Sequence, residues 1–522
     1  MKQEEASCPD HFHVSKLIRS HLSRGSPGKA LVLYGRIRRG GVYFPGWVPL
    51  LLKACSCVPT LVHGKLLHSE SMKSGICSDV MVGSSLINMY GECGCTLDAR
   101  KVFDEMPDRN VATWNAMIGG YMRNGDTASA SSLFETMPIK RNTVTWIEMI
   151  KGFGKRGETA KARDLFERMP LDVKNVKAWG VMLGAYASNG EMEAASRVFE
   201  DTPEKNPFIW SLMISGFFRI GEMHEATAIF DRVLERNLVI WNSLISGYAQ
   251  NGYAEEAIDA FYKMQEEGFE PDEVTVSGVL SACAQLGRLD VGKEVHFLIT
   301  RKGIEFNQFV SNALIDMYAK CGDLINSRLV FGSASQKNVA CWNSMISCLA
   351  IHGEGQEALE IFRTMENSDK KPDDITYLAV LSACVHAGFL EEGLKIFSEM
   401  EEKGVKPNVK HFGCLVDLLG RSGRLKEAYG LVTQMPLSPN DTVLGALLGA
   451  CGIHLDTEIA EKVMKQLETE RSKTGSGRET HFVSVSNVYA YAERWQTAEE
   501  YRRAMEKSGV RKVPGHSSLI ST

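Results

Sequence analysis

The sequence predicts an all-α protein, a solenoid of helix-turn-helix repeats. Two observations carry the prediction: a phrase that recurs along the chain at a nearly fixed spacing, and apolar residues that recur within each copy at the helical period. At 522 residues the chain is several times one globular core, so it is either several domains or one repeating array.

The recurring phrase decides between these. WNAMIGGYMRNG, WIEMIKGFGKRG, WGVMLGAYASNG, WSLMISGFFRIG, WNSLISGYAQNG and WNSMISCLAIHG begin at Trp114, Trp146, Trp179, Trp210, Trp241 and Trp342. Each is followed by a second phrase such as ASSLFETM, ARDLFERM or AIDAFYKM. The spacing, roughly 31 to 36 residues, lies within the range of helical repeats.

The unit at Trp241 shows why each copy is a helical hairpin. Trp241, Leu244, Ile245 and Tyr248 stand at i, i+3, i+4 and i+7, which places them on one helical face. Asn251 and Gly252 break the pattern as a turn. Ala257, Ile258, Phe261 and Met264 rebuild an apolar stripe on a second helix, and Gly268 with Pro271 ends it. Neither helix buries its stripe alone, so each hairpin must stack on its neighbours and leave a polar face along a groove.

Phasing on the residue before each first helix divides the chain at Phe44, Asp79, Asn110, Asn142, Asn175, Asn206, Asn237, Asp272, Asn307, Asn338, Asp373, Asn408 and Asn440. The expected organisation is a short tail over residues 1–10, an array of about thirteen repeats over 11–440, an extension of two degenerate helical repeats over 441–515, and a tail over 516–522. Units of about 35 residues that end in a Pro-Asp or Pro-Asn corner (FEPD, KKPD, VKPN) alternate with units of about 31. The first unit, from His11 to Phe44, lacks a terminal Asp or Asn and is expected to cap the apolar end of the stack.

Composition excludes several classes. Hydrophobic residues are 44% and charged residues 24%, ordinary for a folded chain. No apolar run approaches the length that crosses a bilayer, so no membrane insertion is expected. The 13 cysteines are too sparse for a disulfide scaffold, and Cys55, Cys283, Cys384 and Cys451 close similar phrases, as packing residues do. The net charge of -5 runs against the basic signature of nucleic-acid binders, unless Lys and Arg are segregated onto one face. The N-terminus, MKQEEASCPD, is too acidic for a clear organelle transit peptide.

The chain resembles the pentatricopeptide repeat proteins of plants, in the mixed class with P, L and S repeat lengths. The resemblance rests on VSNALIDMYAKCGDL (310–324), WNSLISGYAQNG (241–252) and KPNVKHFGCLVDLLGRSGRLKEAYGLV (406–432). VLGALLGACGIH (443–454) and the segment 485–515 resemble the E-type extension of RNA-editing members, although PGHSSL stands where the family usually has PGCSW. The resemblance implies a right-handed superhelical α-solenoid that binds single-stranded organellar RNA, one nucleotide per repeat, in a mitochondrion or chloroplast. It further implies that a separate deaminase of the DYW type, together with other editing factors, is recruited through the extension.

In the family the fifth and last residues of a repeat read the base. Here the pairs are Ser84 with Asn110, Asn115 with Asn142, Ser211 with Asn237, Asn242 with Asp272, Asn312 with Asn338, and Asn343 with Asp373. By family rules Ser with Asn favours adenine, Asn with Asp uracil, and Asn with Asn a pyrimidine. Ile147, Gly180, Pro49 and Gly413 put a side chain without hydrogen-bonding ability at the fifth position, while Ser277 and Leu378 fall in L-type units. Second-position residues Val144, Phe208, Val239, Phe309 and Ile375 are expected to sandwich bases. The terminal Asn or Asp is also what helix N-capping requires, and the two roles are compatible.

No active site is read, and neither a cofactor, a metal nor a small-molecule substrate is expected. His68-Ser69-Glu70 matches half of a zinc deaminase signature whose Pro-Cys-x-x-Cys half is absent, and His68 shares its register with His296. Cys55 with Cys57 and Cys93 with Cys95 lack partner pairs at zinc-finger spacing. The function expected is site recognition for C-to-U RNA editing. The rivals are organellar splicing, stability or translation of the bound transcript, and a peptide-binding scaffold of the tetratricopeptide kind.

Overall fold

The computed structural model describes residues 11–39, 43–334, 337–368, 370–463 and 481–507. The tail 1–10 and the PGHSSL segment lie outside them. Every regular element among the described residues is helical, and none is long and apolar enough to cross a membrane. The chain divides into two compact units, Met1–Asn251 and Gly252–Thr522.

In the first unit, helical hairpins follow one another from His11–Ser23 and Pro27–Arg39 through Val111–Arg123 and Thr127–Thr136 to Pro207–Arg219 and Met223–Asp231. In the second, the same alternation runs from Glu273–Leu286 and Leu289–Lys302 to Val409–Arg421 and Leu425–Gln434, then Asp441–His454, His481–Tyr491 and Trp495–Lys507. Within each unit a first helix packs on the first helix of the next hairpin, whereas second helices pack chiefly against first helices. The result within each unit is two layers, one of first helices in contact with one another and one of second helices packed against them.

Small residues permit close approach between successive first helices. A Cβ on Gly91 would lie 3.1 Å from the Cα of Gly120, so the helices Val80–Glu92 and Val111–Arg123 touch backbone to backbone. Asn124 ties the same contact, its Nδ2 donating to Gly91 O and Gly120 O at 2.7 Å each. Asn189 repeats the bridge to Gly154 O and Ala185 O. The hairpin turn behind Asn124 needs the left-handed backbone of Gly125, φ 85°.

Aromatic residues join the layers. Phe103 meets Trp114 edge to face at 5.0 Å, Phe134 meets Trp146 at 4.9 Å, Phe230 meets Trp241 at 4.8 Å and Phe331 meets Trp342 at 5.1 Å. In each pair the Phe comes from a second helix and the Trp from the following first helix. The tryptophans therefore fasten one hairpin to the next, and Trp241 is fully buried. The N-terminal hairpin ends differently: Trp47 is buried and its Nε1 donates to Ser15 Oγ at 3.1 Å, while Phe44 stacks on His11.

We expect Trp146→Ala to lower unfolding stability by about 3 to 5 kcal/mol, the usual cost of emptying a large aromatic site. Urea denaturation followed by far-UV circular dichroism measures it; a loss under about 1 kcal/mol would show that the Phe134 contact does not join the hairpins.

Candidate functional site

The corner between successive repeats is built by an N-cap. Asp79, Asn110, Asn142, Asn175, Asn206, Asn237, Asp272, Asn307, Asn338, Asp373, Asn408 and Asn440 each sit in extended backbone before a first helix, and each accepts a hydrogen bond from a backbone N–H of its first turn. The backbone N–H groups of the first turn, about four per helix, have no intrahelical partner, which is why short side-chain oxygens recur there. Phe44 makes no such bond.

Three of the fifth-position side chains converge on the corner that ends their own repeat. Asn115 Nδ2 donates to Asn142 Oδ1 at 3.2 Å, which leaves Asn115 Oδ1 without a protein partner. Asn343 Nδ2 donates to Asp373 Oδ1 at 3.1 Å. Ser84 reaches Asn110 through an intermediary: its Oγ bonds Thr113 Oγ1 at 2.9 Å, and Thr113 Oγ1 bonds Asn110 Oδ1 at 3.1 Å.

The other pairs are arranged differently. Ser211 Oγ donates to Phe208 O at 2.9 Å, turning back on its own helix, while Asn237 caps Ile240. Asn312 Oδ1 accepts from Ser344 Oγ at 2.7 Å, and Asn338 caps Cys341. Asn242 belongs to the first compact unit and Asp272 to the second, where Asp272 accepts from the backbone of Val274 and Thr275.

The second-position residues flank these corners and face outward. Val144, Phe208, Val239 and Ile375 are about half exposed, and Phe309 is 75% exposed. Burial cannot explain apolar side chains held in one exposed register. Met81 and Val274 stand in the same register and are equally exposed; the phasing alone would have found them. Phe208 does one thing more. A Cβ on Gly180 would lie 2.7 Å from its Cε1, so this ring covers the fifth position of the repeat before it. Over Gly413, by contrast, the nearest atom to such a Cβ is Val443 Cγ2 at 3.6 Å.

Sequence reasoning missed the third position. Thr113, Thr145 and Thr376 are buried, and each hydroxyl donates to the cap oxygen beside it. Thr376 Oγ1 lies 2.6 Å from Asn343 Oδ1 and 2.8 Å from Asp373 Oδ1, so its one hydroxyl hydrogen is shared between fifth and last residues and ties them into one network. The signal was present in the phrases VATW, TVTW and ITY. Asp373 is held below the usual Asp range. Its partial burial works against ionisation, but the Thr376 backbone and hydroxyl and the Asn343 amide together outweigh it.

The histidine and cysteine motifs are structural positions of the repeat. His68 Nδ1 meets Tyr90 OH at 2.8 Å, and His296 Nδ1 meets Tyr318 OH at the same distance, with burial holding both imidazoles below their ordinary value. Burial pushes the Cys283 and Cys384 thiols up to about 12. Among the described residues no group of His, Cys, Asp or Glu is arranged to hold a metal.

These features define a class of protein: an α-solenoid of hairpin repeats whose corners carry a polar network between exposed apolar side chains. The chain belongs to the pentatricopeptide repeat family. Family models of the PPR repeat match residues 84–111, 112–141, 144–172, 177–206, 208–238, 309–339, 375–405 and 403–436, the PPR repeat family model matches 236–285 and 337–386, and the E motif matches 454–520. The Arabidopsis thaliana pentatricopeptide repeat-containing protein At3g21470 is 70% identical over 523 residues, covering 100% of both chains. Two further Arabidopsis relatives are the mitochondrial At3g26782, 34% identical over 98% of this chain and 74% of its own, and the chloroplastic At1g11290, 32% identical over 90% of this chain and 54% of its own. The crystal structure of the pentatricopeptide repeat protein PPR10 from maize has the same fold, with TM-score 0.54 and 20% identity over 95% of this chain and 84% of that one.

Two measurements test the corner. Asn142→Ala should cost about 1 kcal/mol and Asn142→Asp much less, because only the first loses the capping oxygen; equal losses in thermal denaturation would remove capping as the reason for Asn. Because the folded Asp373 carboxyl is depressed, its contribution is fully present above the ordinary Asp value of about 3.9 and is lost as pH falls through the lower folded value. Asp373→Asn should therefore flatten the acid limb of a pH–stability profile; an unchanged limb would place the acid sensitivity elsewhere.

Proposed function

We propose that this chain is a sequence-specific single-stranded RNA-binding protein of plant organelles, and that it selects sites for C-to-U editing. The observation that carries the reading is the repeated corner, where fifth and last side chains such as Asn343 and Asp373 meet beside the exposed second-position residue Ile375. A base inserted there stacks between apolar side chains of successive repeats and presents its edge to the amide pair, as single-stranded RNA permits because its bases can be splayed out. Such stacking is tolerant of sequence, so base choice falls to the polar pair.

The proposed reading pairs are those given above, in an array over residues 11–440 with the E-type extension over 441–515. Ser84, Asn115 and Asn343 lead, since their hydrogen bonds already run to the corner. Exposed cations at the last turn of the first helices, among them Lys155 and Arg219, supply phosphate neutralisation despite the net charge of -5, so affinity falls as salt rises. The mitochondrial and chloroplastic relatives support an organellar compartment. The E motif supports recruitment of a separate deaminase by the extension.

Asn343→Thr should change base preference at the nucleotide assigned to that repeat and at no other, measured by fluorescence anisotropy with a set of single-base RNA variants. An unchanged preference rejects the pair assignment. In plants lacking the protein, one or a few organellar C-to-U sites should remain unedited. A full set of edited sites alongside altered splicing or transcript abundance would move the function to transcript processing or stability.

A further inference from the structure

In six of the short repeats a basic residue immediately precedes the capping Asn: Arg109, Arg141, Lys174, Lys205, Arg236 and Lys337. Every one lies over the face of the second-helix Phe of its own repeat, at 4.8, 4.6, 4.4, 5.1, 4.6 and 5.0 Å from the ring centroid. That Phe is the ring that meets the next Trp edge to face. A cation over a phenyl face is an attractive contact that strengthens as water is excluded.

Four of these cations also close the preceding helix. Arg109 donates from Nε to Phe103 O at 2.7 Å and from Nη2 to Asp104 O at 2.8 Å. Arg141 Nε donates to Phe134 O at 2.9 Å and its Nη2 to Glu135 O at 3.1 Å. Lys205 Nζ reaches Glu200 O and Thr202 O, and Lys337 Nζ reaches Ala334 O at 2.9 Å. The last carbonyls of a helix lack partners and carry partial negative charge, so a cation there is doubly satisfied. In three of the longer units the same place before the cap is taken by Pro271, Pro372 and Pro407, and in the unit ending at Asn440 by Pro439; the ring fixes φ by covalent means. A clamp of charge and a clamp of ring closure thus occur at one position, and the residue each holds is the capping Asn or Asp.

We propose that these cations are positioning residues for base reading: each locks the backbone just before the terminal Asn, aims its amide at the base, and takes no part in binding phosphate. This goes beyond the proposed reading pairs and rests on them. A general RNA-binding role for the same cations predicts a different phenotype, because a lost phosphate contact weakens every sequence alike and lowers the salt slope by about one.

The test uses the full chain with Arg141→Gln, Arg141→Lys and, as a milder variant in a second repeat, Lys337→Gln. Discrimination at the nucleotide facing Asn115 and Asn142 should fall roughly fivefold in Arg141→Gln, the factor a lost helix cap carries. It should return in Arg141→Lys, with the slope of log affinity against log salt unchanged throughout. Lys337→Gln should do the same at the nucleotide facing Asn312 and Asn338, which keeps the test alive if Arg141→Gln does not fold. Unchanged discrimination in both Gln variants, or a salt slope reduced by about one, overturns the proposal. Hydrogen exchange on the RNA-free protein separates this from failure of the reading pairs. The Thr145 amide, held by Asn142 Oδ1 at 3.1 Å, should lose protection in Arg141→Gln and regain it in Arg141→Lys even if the parent protein shows no base preference; no loss there rejects the clamp.

Discussion

The side-chain oxygen that caps each first helix is the constraint around which the rest of the molecule is arranged. A helix start exposes backbone donors that something must satisfy, and in this chain one Asn or Asp per repeat does so. Because the cap fixes where the helix begins, it fixes the register of everything after it. In the repeat after Asn110, Ala112 is exposed, Thr113 turns its hydroxyl back to the cap, Trp114 packs its ring on Phe103 of the previous repeat, and Asn115 reaches forward to Asn142. A shift of one residue would send Trp146 outward and Val144 into the core.

Inter-repeat packing then converts local register into a stack. The edge-to-face Phe–Trp contacts fasten second helices to the first helices that follow, while Gly91 and Gly120 let successive first helices close to backbone contact. Ion pairs contribute locally: Arg123 lies between Glu92 at 3.0 Å and Glu148 at 3.8 Å, partly exposed and of modest energetic weight.

Much of this was legible in the sequence because a repeat states its pattern many times. The Trp spacing, the i, i+3, i+4, i+7 stripes and the Asn before each stripe were enough to place the hairpins and the corners. Less legible were contacts between residues with no shared period. That Ser211 turns back on Phe208 O while Ser84 bonds onward through Thr113 depends on the next repeat, whose third position holds Ile240 where Ser84 meets Thr113. The covering of Gly180 by the Phe208 ring likewise follows from a residue beyond the end of its own repeat. Single-residue chemistry misleads where periodicity does not: His68 looks like part of a metal motif until its tyrosine contact is seen again at His296.

The capping requirement has a consequence for variation at the corners. From Asp79 to Asn440 every corner carries either an amide or a carboxylate of nearly the same shape. Exchanging one for the other leaves the fold's geometry intact but swaps a neutral donor-acceptor for an anion. The corners therefore form a two-letter alphabet written in charge, in which spelling can drift without disturbing the page it is printed on.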